Sequence, residues 1–160
     1  YVINMPIMRR HGSAGITLGF KNHLGSVADC SVLHEWIFQH GAHLAPTTYS
    51  PLVDLYLNPN IAAKTVLVVG DGLYGNWKDN TSKAQPWRTF GGRAANSLFL
   101  ATDPVAVDCV MADLLHAEAP LPSMADGYLQ LAERAGLGVY ERGDPWGAGY
   151  GRIRYARVEV

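Results

Sequence analysis

Residues 65–69, Thr-Val-Leu-Val-Val, form an apolar, β-branched run with no polar alternation, the pattern of a strand buried on both faces. Interior strands of this kind belong to parallel sheets covered by helices, so this run narrows the possible folds more than any other stretch. It ends at Gly70-Asp71-Gly72. A second apolar strand is expected over residues 97–101 and passes directly into Thr102-Asp103-Pro104, an N-cap with proline just inside the helix. On that helix Val107, Val110, Met111, Leu114 and Leu115 recur at amphipathic spacing. The class that follows is α/β: a mostly parallel sheet with helices on both faces, forming a single domain over residues 1–160.

The flanking segments fit this alternation. Residues 1–8 read as a strand interrupted by Pro6 and stopped at Arg9-Arg10-His11. After a Gly12-Ser13-Ala14-Gly15 turn, residues 17–23 suit a short helix that Gly25 would stop. Asp29 can cap a helix carrying Val32, Leu33, Trp36 and Ile37, which Gly41 would close. Ser50-Pro51 opens another that must end at Asn58-Pro59. Residues 73–96 lack a period and are too long for a passive connection, which suggests a binding loop or lid. Its Trp77, Trp87 and Arg88 either stack on a substrate or pin the loop to the core. Ser123 with Asp126 resembles a capping box for a helix running to Gly136, and the alternation over residues 153–160 suits an edge strand.

Charge excludes some partners. With 13 Lys+Arg against 14 Asp+Glu, no global field draws the chain to nucleic acid or anionic lipid. No apolar run approaches the roughly 18 residues of a membrane span, so a soluble chain of unassigned compartment is expected. Cys30 and Cys109 lack CxxC spacing, so no iron–sulfur cluster can be built from this chain alone. They read as two inert thiols, with a single disulfide as the alternative. Because the chain opens on Tyr1-Val2-Ile3-Asn4-Met5, inside a strand, an incomplete or processed part of a longer domain is expected.

In α/β folds ligands bind beyond the carboxyl ends of the strands. The first strand ends at Arg9-Arg10-His11, the central one at Asp71 and the third at Asp103; if all three are parallel, these residues share an edge. Lys21 and Asn22 follow the glycine-rich turn and would lean over it. Arg9 can hold a carboxylate or phosphate bidentately, Lys21 offers a point charge, Asn22 an amide and Thr17 a hydroxyl. His11 is the natural acid–base group. Asp71 and Asp103 opposite them are candidates for a divalent metal, and Asp71 also for proton transfer.

Every one of these roles has a structural alternative. Asp103 caps a helix, Asp71 shapes a turn, Arg9 pairs with either aspartate, and His11 is a histidine satisfied by backbone. His34, His40 and His43 look like a metal cluster but straddle a helix end, where the dipole explains His40 more simply. Asp108, at the margin of its helix's apolar arc, reads as solvated.

Ile3-Asn4-Met5-Pro6 with His11, then Gly15-Ile16-Thr17-Leu18 and Lys21-Asn22-His23-Leu24-Gly25, resembles the domain-of-unknown-function family 362. Val69-Gly70-Asp71-Gly72, Ala101-Thr102-Asp103-Pro104-Val105-Ala106-Val107-Asp108 and Ala135-Gly136-Leu137-Gly138 are similar to that family's later blocks, in order. The resemblance implies an α/β domain often found in prokaryotic proteins, some of which also carry ferredoxin-like cluster segments, and it brings no settled activity. Two departures stand out: Arg9 occupies the position of the family's usual lysine, and the cluster-binding cysteines are absent. Family members are commonly longer at the amino end.

The functional expectation is a domain that binds or transforms a small anionic substrate at the carboxyl edge of the sheet, with a divalent metal as a possible aid. The alternative is a non-catalytic partner domain of a redox or multi-subunit assembly, contacting another chain or an upstream segment.

Overall fold

The computed structural model describes residues 1–40, 48–122 and 124–160. Gly41, His43 and Ser123, together with the side chain of His40, lie outside the described residues, and with them the proposed helix stop, most of the histidine trio and the capping box.

Five strands form one sheet around β4 (Thr65–Asn76). β1 (Val2–Asn4) and β2 (Ile7–His11) pair parallel to β4, and β5 (Ser97–Ala101) pairs antiparallel to it. Val68 pairs with both Asn4 and Ala101, and Asp71 with both Ile7 and Leu98, so β1 and β2 follow one another along one edge of β4 while β5 takes the other. The expected first strand is thus two pieces, broken at Met5-Pro6, because proline cannot donate to the ladder. β3 (Gly15–Thr17) turns back antiparallel on β2, placing Thr17 in a strand where a helix start was expected.

α1 (Gly19–Asn22) follows β3 and is only one turn long. α2 (Ser31–His40) and α3 (Pro51–Tyr56) come next, the latter capped by Ser50, whose hydroxyl accepts from the Leu52 N–H. α4 (Pro104–Glu118) then packs on β2, β4 and β5, and α5 (Met124–Arg134) on α3, α4 and β3. The close approach of α4 explains a glycine: a Cβ at Gly70 would lie 2.5 Å from Met111 Sδ. Residues 104–115 are buried all round, among them Val105, Met111 and Leu115 at 0 % exposure.

The α/β class and the parallel pairing at the sheet's centre are as expected, but among the described residues the helical layer covers one face. On the other face Ile3, Ile7, Leu98 and Leu100 are exposed. Residues 153–160 form no strand: the N–H groups of Gly151, Arg152 and Ile153 donate to the Glu141 carboxylate instead. Among the described residues no helix is long and apolar enough to cross a membrane.

Candidate functional site

The strand directions decide which of the expected site residues meet. Since β5 runs against β4, Asp103 lies two residues past Ala101 toward the start of β4, while Asp71 lies three residues past Val68 toward its end. At a strand rise of about 3.3 Å per residue the two are roughly 15 Å apart along the sheet. They cannot share a cation, and the metal pair read from the sequence is withdrawn on that ground. Among the described residues no group of three or more His, Cys, Asp and Glu side chains is arranged to hold a metal ion.

Each aspartate has a local task. Asp103 Oδ1 accepts from the N–H groups of Val105 and Ala106 at 2.9 and 2.8 Å, and Oδ2 from Val139 at 2.9 Å, so one carboxylate caps α4 and ties down the segment after α5. Gly138 is glycine because its φ is +157° and a Cβ there would collide with Asp103. Asp71 sits within β4 rather than at its end, and its carboxylate accepts from the Leu73 N–H at 2.9 Å.

The basic residues do gather. Arg9 and Thr17 are register partners across β2 and β3, as are His11 and Gly15. Arg9 also stands opposite Asn76 near the carboxyl end of β4 and donates one guanidinium N–H to the Asn80 carbonyl at 2.7 Å. Burial, then electrostatic coupling to Lys21, His34 and Arg9, presses the His11 pKa down to about 4, so the ring is neutral at physiological pH. The backbone N–H groups of Ser13 and Ala14 both donate to its Nδ1 at 3.2 Å, which leaves the ring hydrogen on Nε2. His11 is therefore a neutral N–H donor, a different part from the acid–base role expected of it.

Lys21 is 8 % exposed and, among the described residues, makes no hydrogen bond or ion pair. Burial lowers its pKa, and the neighbouring Cys30 opposes that shift. Thr17 Oγ1 is buried without a hydrogen-bond partner. Asn22 departs from expectation: its amide donates to Asn4 Oδ1 at 2.7 Å, and Asn4 in turn donates to the Gly19 carbonyl at 2.9 Å. It locks α1 onto β1.

Sequence reasoning missed three participants. Asp108 is 0 % exposed, accepts from the N–H groups of Gly19 and Phe20, and thereby fixes the start of α1 and the position of Lys21. Burial pushes its carboxyl up to about 7 against the pull of those two bonds. A helix apolar on every side has no wet face, so residues 104–115 already implied a buried Asp108. Cys30 and His34 are the others; the His34 ring lies 3.1 Å from the Cys30 carbonyl, and their i, i+4 spacing was the available signal. The long loop settles the other way: Trp87 is 0 % exposed with its N–H on the Tyr74 carbonyl, and the Arg88 and Thr89 N–H groups donate to Glu118. These side chains pin the loop to the body of the protein.

The model of a domain of unknown function, DUF362, matches residues 1–113. No match to a curated protein or to a solved structure was found.

Proposed function

The chain belongs to the DUF362 family, a domain of unknown function, and from that premise we propose that it binds a small anion bearing several oxygens, a phosphate or carboxylate, between Arg9, His11, Thr17 and Lys21. The observation that carries this reading is Lys21: a residue 8 % exposed that makes no hydrogen bond or ion pair among the described residues. Burial disfavours the charged form of Lys21, and an anion beside it would favour that form. The surrounding groups support the same chemistry. His11 offers Nε2–H without a net charge, Thr17 an unsatisfied hydroxyl, and Arg9 the guanidinium hydrogens not engaged by Asn80. All four are donors at neutral pH. Asp71, Asp103 and Asn22 stand outside the set.

Any reaction performed here would draw on electrostatic stabilisation by fixed donors, because the His11 ring is neutral with Nδ1 already accepting from backbone. A thermal-shift panel of inorganic phosphate, citrate and acetate tests the binding. Phosphate or citrate at millimolar concentration is expected to raise the melting point of the wild-type protein and to leave Lys21→Met unmoved. If no anion shifts the melting point and Lys21→Met destabilises the unliganded fold by several kcal/mol, Lys21 is structural and the proposal fails.

A second reading, a partner domain within a larger assembly, draws on the exposed Ile3, Ile7, Leu98 and Leu100. Leu98→Lys with Leu100→Glu is expected to leave the melting point of a free domain within a few degrees; abolished association with a co-purifying chain would favour the assembly.

A further inference from the structure

The pairings of β4 sort its side chains onto two faces. Register partners across a ladder point to the same side, and side chains two apart along a strand do likewise. Val68 and Gly70, with their partners Asn4 and Phe99, therefore lie on the face that α4 covers, where a Cβ at Gly70 would meet Met111. The opposite face carries three rows: Ile3 with Leu67, Val69 with Leu100, and Asp71 between Ile7 and Leu98. Ile3, Ile7, Leu98 and Leu100 are exposed, from 48 % at Ile7 to 68 % at Leu100. Apolar side chains exposed singly are ordinary; four gathered around one apolar strand mark a contact surface. Residues 65–69 carry the pattern of a strand buried on both faces, and among the described residues the helices cover only one.

One polar group interrupts this strip. Asp71 has an apolar side chain on either side, accepts the Leu73 N–H with one carboxylate oxygen, and makes no hydrogen bond through the other among the described residues. We propose that the face receives an amphipathic helix that sets one Lys or Arg against Asp71 and apolar side chains against Val69, Leu100, Leu67 and Ile3, a role that rests on the assembly reading of the same surface. The footprint fits: three strands about 4.8 Å apart span roughly 10 Å, the diameter of one helix. Successive rows lie about 6.6 Å apart, near the rise of about 6 Å over four helical residues. The occupant therefore carries its cation one turn from its first apolar contact and two turns from the next. Charge narrows the choice further. A second copy of this chain, packed face to face, brings another Asp71 carboxylate to the strip where a cation is needed, and like charges brought together in an apolar contact are costly.

The test titrates the native full chain into two labelled model helices and follows fluorescence anisotropy. Both peptides are about 18 residues long, with leucine along one face and glutamine and alanine elsewhere, and they differ only in a Lys or a Glu set inside the leucine stripe. The Lys helix is expected to bind at least about tenfold more tightly than the Glu helix. Asp71→Asn, which keeps an acceptor for Leu73, should bring the two to equal affinity, and Asp71→Lys should invert their order. Leu98→Lys with Leu100→Glu should weaken both by at least about tenfold. Equal affinities for the wild-type chain, or an order that Asp71→Asn leaves unchanged, overturn the proposal. So does the failure of both helices to bind at chain concentrations up to about 0.1 mM. A dimer of the wild-type chain in sedimentation, dispersed by Leu98→Lys with Leu100→Glu, would assign the face to a second copy and likewise overturn it. If neither helix binds while that same variant loses a co-purifying chain, the helical occupant fails and the assembly reading stands.

Discussion

Replacing Asp108 with asparagine should change how stability depends on pH more than it changes stability itself. Asp108 is fully buried and its carboxyl is pushed up to about 7, far above its value in an unfolded chain. Between about pH 4 and pH 7 the folded state therefore holds a proton that the unfolded state has released, so this group's contribution falls as pH rises through that window and is gone above it. A shift of about three units corresponds to on the order of 4 kcal/mol over the whole window, at about 1.4 kcal/mol per unit. His11 acts in the opposite sense. Its pKa is lowered from 6.5 to about 4, so its contribution climbs with pH over nearly the same range. The two slopes oppose one another in the wild-type profile, and a difference between proteins isolates that of Asp108. Asparagine cannot ionise, and its NH2 cannot accept from Gly19 or Phe20, which subtracts a constant of about 1–3 kcal/mol for one lost bond. Tyr56 and Tyr128, both raised by burial with Asp108 nearby, remain neutral throughout, and His11 and His23 cancel in the difference. Urea denaturation of both proteins at about pH 5, 6 and 7 should show Asp108→Asn gaining on wild type by about 1 kcal/mol or more per pH unit. A difference that stays constant to within about 0.5 kcal/mol would refute the raised carboxyl and the buried ionisable pivot with it.

Asp103→Ala removes the acceptor for three N–H groups and should cost about 2–4 kcal/mol in denaturant midpoints while leaving any phosphate-induced melting shift intact. Asp71→Asn keeps an acceptor for Leu73 and should stay within about 0.5 kcal/mol of wild type by the same measurement, with no change in response to anions or divalent metals. Lys21→Met, without anion, should hold stability to within about 1 kcal/mol or raise it, since an apolar side chain of similar volume replaces a largely buried cation whose charged form burial disfavours.

What could be read in the chain was whatever local chemistry punctuates. Ser50-Pro51 and Asp103-Pro104 start helices where their caps place them, and the apolar run at residues 65–69 is the centre of the sheet. Strand direction was not legible: a strand followed at once by a helix reads alike whether it lies parallel or antiparallel to its neighbour, and the long segment between β4 and β5 permits either. That single ambiguity moved Asp103 away from the cations. β3 was missed because Gly15-Ile16-Thr17 is too short to show a period; pairing with His11, Arg10 and Arg9 makes it a strand and buries Ile16 completely. Arg9, His11, Thr17 and Lys21 lie within one short hairpin and the turn of helix after it. Their convergence needs no long-range topology. Residues brought in from a distance, Cys30 and Asp108, were the ones left out.

The most direct test of the anionic site is a phosphate titration followed by backbone and histidine-ring NMR. The account predicts shifts concentrated at Ser13, Ala14, Lys21 and the His11 Nε2–H, with the amides of Leu73, Val105 and Val139, which report on Asp71 and Asp103, left in place. Shifts centred on those last three amides, or none at all at millimolar phosphate, would contradict it.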